Sequence, residues 1–304
     1  MDNVLRIIGQ LPSPVRRSIR FVLGGGAHQA HWTHALWAWH FAGGTKRLDR
    51  VAASLCHLVA LKVGNVQGKT CMEFGSGHLL SEPLVLWLAG ARRVVAVDYN
   101  SILRPSFARR AFLAADCEAL RRSLSSIAPG ELIDDRIRRL RSLPRWTLDH
   151  LAELGIEYRA PLDFSKAPPS CEEFDIIHSA AVLEHLPGQA VPAILASLQA
   201  AMRPGALALH DIHLEDHRDF RRDPFAFLGA ETDWRPSASD SRGNRLRASD
   251  WVRAFNQAGA AVVDVLGELV RDDAPLPRAL DAAFADYAEQ DLRTGGILLA
   301  VRAA

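Results

Sequence analysis

The sequence predicts an α/β protein: a doubly wound, mostly parallel sheet of seven strands with helices on both faces, preceded by N-terminal helices and carrying a helical insert. Two observations carry this expectation. Short apolar runs alternate with stretches whose apolar residues recur every three or four positions, which is the pattern of strand–helix–strand units. Residues 70–98, TCMEFGSGHLLSEPLVLWLAGARRVVAVD, show one such unit whole: a strand, a glycine loop, a helix and a second strand that ends in Asp98. In chain order, RLDRVAASLCHLVALKV reads as a helix up to Gly64, and FDIIHS, GALALHDIH, AAVVDVLGELV and GGILLAVRA read as later strands. GQAVPAILASLQAAM reads as a helix with Pro192 in its first turns, ASDWVRAFNQAG as a helix capped from Ser249 or Asp250, and PRALDAAFADYAEQ as a last helix.

The glycine loop limits the ligand. Gly75 and Gly77 permit backbone angles closed to other residues, so the chain can turn sharply and a ligand can approach bare peptide. Asp98 can accept hydrogen bonds from two ribose hydroxyls. A dinucleotide fingerprint would need a third glycine at position 80, where this chain has Leu80. Glu73, two positions before the first glycine, would repel a pyrophosphate but can hold an ammonium or, through water, a ribose. A ligand with a positive end fits these residues.

At this point the sequence resembles the class I S-adenosylmethionine-dependent methyltransferases, which implies a Rossmann-like sheet and S-adenosyl-L-methionine as cofactor. The resemblance rests on EFGSG, VVAVDYN, PLDFS, FDIIHSAAVLEHL and MRPGALALHDIH in that order, over roughly residues 65 to 215. It implies cofactor contacts at Glu73, Gly75, Ser76, Gly77, Asp98, Tyr99, Asp163, Phe164 and Ser179, with the adenine beside Asp163 and Phe164. Many members have a third glycine where this chain has His78, so the approach to the methionine tail differs. A narrower likeness to bacterial small-molecule and glycan methyltransferases covers Pro83 to Ala91 and Asn244 to Trp251, the latter reading NRLRASDW.

The expected organisation is a helical lead and cap at 1–64, followed by a methyltransferase domain at 65–304. That domain has an insert at 101–155 and a substrate loop at 214–246. Residues 1–23 interleave apolar residues with Arg6, Arg16, Arg17 and Arg20 around Pro12 and Pro14, suiting either contact with an anionic membrane surface or a helix pair capping the fold. The GGG at 24–26 is a hinge, and His28, His31 and His34 form a polar edge among tryptophans. Within the insert, two arginine-rich helices are expected, joined around Pro129 and Gly130, their arginines partly paired with Glu131, Asp134 and Asp135. Residues 214–246 are polar with scattered aromatics and too long for an ordinary connection, which is why they read as a substrate loop.

Composition sets outer bounds. The chain has 304 residues, 48% apolar and 23% charged, enough for one large core with appendages. A net charge of +1 gives no field that recruits nucleic acid. Four cysteines without a C-x-x-C pair, no charged leader and no apolar run near the roughly 18 residues of a membrane span together make a cytoplasmic location the expectation.

Methyl transfer to a hydroxyl needs aligned reactants, excluded water and a base. His185, in SAAVLEHL, and His213, in HDIHLEDH, are the two candidate catalytic bases, since imidazole titrates near neutral pH. Glu184, Asp211, Asp216 and nearby imidazoles could also hold a divalent cation. The adjacent Asp pairs of magnesium-using sugar and catechol methyltransferases are missing, and no metal is expected. The acceptor is expected to be a small molecule or glycan with an oxygen nucleophile, bound between residues 28–63 and 211–246. A nucleic-acid methyltransferase and an inactive methyltransferase-like scaffold are the alternatives. The oligomeric state is not legible.

Overall fold

The computed structural model describes residues 38–40, 42–44, 46–166, 173–235 and 242–304. The expectations for residues 1–23, the glycine hinge and His28, His31 and His34 lie outside the described residues. Seven strands form one sheet in the order β3-β2-β1-β4-β5-β7-β6. By compactness the chain divides into two units, one of the described residues up to Gly68 with Ser76–Pro161, the other of Lys69–Gly75 with the described residues from Leu162 to Ala304.

In the first unit, helix α1 (Leu48–Lys62) buries Leu48, Val51, Ala52, Leu55, Cys56, Leu58 and Val59 along one side. It stops where the amides of Val63 and Gly64 both turn back to the Val59 carbonyl, with Gly64 at φ 83°. Helix α2 (Ser81–Leu88) follows the glycine loop and is buried nearly all round, and its Trp87 donates from Nε1 to the Leu154 carbonyl at 2.6 Å. Strand β2 (Arg93–Val97) pairs in parallel with β3 (Ile156–Arg159), Val94 opposite Ile156.

Between β2 and β3 the insert forms four helices, where the sequence pattern predicts two: α3 (Pro105–Leu113), α4 (Cys117–Leu124), α5 (Gly130–Ser142) and α6 (Leu148–Glu153). The extra breaks have local causes. Asp116 caps α4 by accepting from the Ala119 amide at 3.0 Å, and Thr147 caps α6 by accepting from His150 at 3.2 Å, just after Pro144. Several arginines are paired as expected, Arg121 with Asp134 at 2.7 Å and Arg138 with Asp135 at 3.3 Å. Arg136 instead lies over the Trp87 ring at 4.7 Å and donates to the carbonyls of Trp87 and Ala91.

In the second unit, β1 (Thr70–Phe74) is buried throughout and pairs in parallel with β4 (Phe174–Ala180), which pairs in parallel with β5 (Met202–His213). The sheet then ends antiparallel, β7 (Thr294–Ala303) running against both β5 and β6 (Ala260–Val270). Helices α7 (Val191–Ala200) and α8 (Ala248–Gln257) contribute Leu195, Leu198, Trp251 and Phe255 to the core. Helix α8 starts earlier than expected, with Arg247 rather than Ser249 or Asp250 as its N-cap, and Asp250 at the third helical position accepts from the Arg247 amide at 2.9 Å.

Two expectations are corrected here. PRALDAAFADYAEQ is not a continuous helix: Leu280 bridges to Gly229, and Asp281 accepts from the Ala283 amide to start a single tight turn, Ala282–Phe284. Only the short α9 (Glu289–Arg293) follows. The segment after β5 is also more than a polar loop. Its Phe225, Phe227 and Leu228 are buried and form a small core with Ala274, Phe284 and Leu292. Among the described residues, no helix is long and apolar enough to cross a membrane.

Candidate functional site

In the first unit, the loop after β1 is stapled to the end of β2. The Ser76 amide donates to the Val97 carbonyl at 3.1 Å and the Gly77 amide to Asp98 Oδ2 at 2.8 Å, while Asp98 Oδ1 accepts from the Asn100 amide at 2.8 Å. Each carboxylate oxygen of Asp98 keeps a further lone pair, so the group can fix the loop and accept ligand hydroxyls together. Gly77 has φ 60° and open space where a Cβ would stand, and Ser76 Oγ is buried without a hydrogen-bond partner. An orphaned hydroxyl beside bare backbone is what a polar ligand in this loop would satisfy. Tyr99 is 67% exposed, free to cover a ligand.

In the second unit, Gly75 has φ 83°, and a Cβ there would stand 2.4 Å from Val182 Cγ2. Val182 follows Ala181, whose φ of 55° bends the chain sharply after β4. Glu73 is 2% exposed and meets His178 Nδ1 at 2.7 Å, so its carboxylate is engaged within the sheet. Asp163 closes its own turn, accepting from the amide and hydroxyl of Ser165 and pairing with Lys166 at 3.0 Å. Those Ser165 hydrogen bonds, then Lys166, hold its carboxyl below the ordinary range. Phe164 is buried and packs edge-on against Phe74, ring centres 5.0 Å apart.

Ser179 faces the interior, its hydroxyl 2.8 Å from His210 Nδ1, while the His210 ring stacks on Phe255. Burial, and to a lesser degree His178, push the His210 pKa down to about 3 from 6.5. A pKa lowered on folding means stability is complete above 6.5 and is lost as pH falls toward 3, because only the unfolded chain takes up the proton. Urea denaturation between pH 6.5 and 4.5 should therefore show a loss of about 1.4 kcal/mol per pH unit from this residue. In a His210→Leu, Ser179→Ala double variant that slope should shrink by the His210 share, leaving the acid response of His217, whose pKa burial also lowers. Equal slopes in both proteins would show that His210 titrates freely in the fold.

The crowd of polar residues after β4 and β5 is sorted by the structure into separate roles. Asp216 leaves the group: it is fully buried and held by Arg242 at 2.6 Å and by the Arg218 amide at 2.9 Å. Asp211 stays at the surface. His213, at the end of β5, and His217 converge with Glu184, one ligand atom from each lying within 4.8 Å of the others. His185 is exposed and sets its ring edge-on to His217, ring centres 4.8 Å apart. Both candidate bases thus border one cluster. Burial pushes the Glu184 carboxyl up to about 8, Asp211 adding to the rise and nearby backbone amides opposing it. Burial also lowers His217 to about 4, helped by His185 and His213.

Residues that the sequence marked only as a subgroup likeness, with no role attached, hold the segments around this cluster. Asn244 donates its amide N–H to the Glu184 carbonyl at 2.7 Å, and its side chain donates to the Leu183 and Leu186 carbonyls at 3.0 and 3.2 Å. Arg247, fully buried, donates to the Leu214 carbonyl at 2.8 Å and to that of Thr294. The NRLR phrase was therefore visible as a subgroup likeness, and its physical content is a set of clamps on backbone carbonyls.

The chain matches the methyltransferase-domain family over residues 45–265, and it belongs to that family, the class I S-adenosylmethionine-dependent methyltransferases. Membership implies S-adenosylmethionine as the cofactor. Solved structures of similar fold include the CurJ carbon methyltransferase (14% identity, 84% of this chain and 54% of that one, TM-score 0.43). Others are the [4+2]-cyclase SpnF (13%, 83% and 80%, 0.44) and a TehB-like SAM-dependent methyltransferase from Corynebacterium glutamicum ATCC 13032 (12%, 83% and 87%, 0.42). This chain spans about half the length of the CurJ structure. No curated protein matches it.

Proposed function

We propose that the protein transfers a methyl group from S-adenosylmethionine to a hydroxyl of a small molecule or glycan. The observation that carries this reading is the stapled loop: Asp98 fixes the Gly77 amide and retains acceptor capacity, beside an orphaned Ser76 hydroxyl and open space at Gly77. When bound, the cofactor supplies an electrophilic methyl on a sulfonium. In this reading the chain contributes ribose acceptors at Asp98, bare peptide at Gly75, Ser76 and Gly77, and a cover from Tyr99. Adenine contacts come from Asp163 and Phe164, and Glu73 and Ser179 support the strands from within. His185 or His213 accepts the proton that a hydroxyl acceptor loses.

Calorimetry with S-adenosylmethionine and S-adenosylhomocysteine tests the first half. Asp98→Ala should weaken both ligands by about 1.5 to 3 kcal/mol through the lost charge-assisted hydrogen bonds, with a further loss from the freed Gly77 amide. A folded wild type that binds neither ligand would end the reading.

A further inference from the structure

We propose that Glu184, His213 and His217 form a binding site for one divalent metal ion of the zinc class. The three come from three places: the turn after β4, the end of β5, and the segment beyond it. Their ligand atoms all fall within 4.8 Å of one another. Ligands at 2.0–2.2 Å from a tetrahedral centre lie roughly 3.4 Å apart, so small rotations of the two imidazoles would close the set.

The second observation is what these groups lack. Glu184 is 1% exposed, and no side chain donates to either of its carboxylate oxygens, which have only the backbone amides of Glu184 and His213 nearby. His217 Nε2 is likewise buried without a partner. Buried polar atoms are almost always satisfied, and a buried carboxyl that no side chain pairs, set among imidazole nitrogens, is what a bound cation would satisfy. The surroundings are also built to hold this arrangement without spending the ligand atoms. Asn244 pins the turn that carries Glu184 through its backbone, and the buried Arg242–Asp216 pair fixes the residue before His217.

The donor set decides the class of ion. Two imidazole nitrogens and one carboxylate suit zinc, cobalt(II) or ferrous iron, whereas magnesium and calcium prefer oxygen alone. Three protein ligands leave at least one coordination position open, and His213 lies at the surface, so that position is reachable. A bound ion would engage His213 and leave His185 as the candidate base. The binding claim stands on these side chains and does not depend on methyl transfer.

Its test needs no acceptor. Tag-free full-length protein, stripped with a chelator, is titrated with zinc by calorimetry and with cobalt(II) by visible absorption. One tight equivalent should bind and give the intense bands of four- or five-coordinate cobalt. His213→Ala, at an exposed position, and the near-isosteric Glu184→Gln should each weaken binding by about a hundredfold, while His150→Ala on α6 leaves it unchanged. A His28→Ala, His31→Ala, His34→Ala variant removes any ion held by those histidines and should retain the equivalent assigned here. No tight binding in the wild type, or unchanged affinity in both His213→Ala and Glu184→Gln, overturns the proposal, and does so whether or not S-adenosylmethionine binds.

Discussion

Gly75→Ala is expected to destabilise the protein by about 3 kcal/mol or more, the sum of left-handed backbone strain and overpacking. The backbone at Gly75 has φ 83°, and an added Cβ would stand 2.4 and 2.5 Å from the two methyl groups of Val182. Valine is stiff at χ1 and cannot swing aside as a long side chain would. Its position is set by the Ala181 bend before it. Gly77→Ala makes the internal comparison: φ is 60° but the space is open, so strain alone remains, about 1–2 kcal/mol. Adding Val182→Ala to Gly75→Ala should recover the packing part and leave the strain. Chemical denaturation of the wild type, Gly75→Ala, Val182→Ala and their double variant gives the cycle, and a Gly75→Ala variant no less stable than Gly77→Ala would mean the loop is not packed against Val182.

His185→Ala or His213→Ala should lower turnover by about a hundredfold or more once an acceptor is known, with cofactor affinity nearly intact, if one of them is the base. Both border the Glu184 and His217 cluster, and both are exposed, so neither substitution should threaten the fold. Unchanged turnover in both would rule out histidine base catalysis and leave proximity as the source of rate. That outcome would point to an amine or thiol acceptor, which loses its proton with less help.

Much of the sheet was legible because it is written in local pattern. The strand, glycine loop and acid of residues 70–98 sit in neighbouring sequence, and β6 and β7 are apolar runs bounded by glycine or charge. Local pattern misled where tertiary contacts decide. The run at 277–290 has helical spacing, yet Leu280 is drawn into a bridge and Asp281 into a turn. Phe225, Phe227 and Leu228 lie in one short uncharged run, PFAFLGA, between charged stretches, too short to show a period, so their shared core could not be read from spacing. The site was legible by residue type and not by partner. His-x-x-x-His at 213 and 217 was in view, but which acid completes it depends on how the turn after β4 meets the end of β5. Glu184 is brought there and Asp216 is removed to Arg242.

The small core around Phe225 and Phe227 also bears on how such a protein can change over generations. A segment with an interior of its own leaves its outward residues room to vary without disturbing β1 and β4, the strands that Gly75 and Glu184 follow. Inheritance is thereby divided. Changes at exposed charged positions such as Arg221 and Arg222 leave that interior alone, while Arg242 and Asn244 hold Asp216 and the turn that carries Glu184. Drift confined to this one patch of sequence is then compatible with the fold, and such a patch can be exchanged between related chains as a unit.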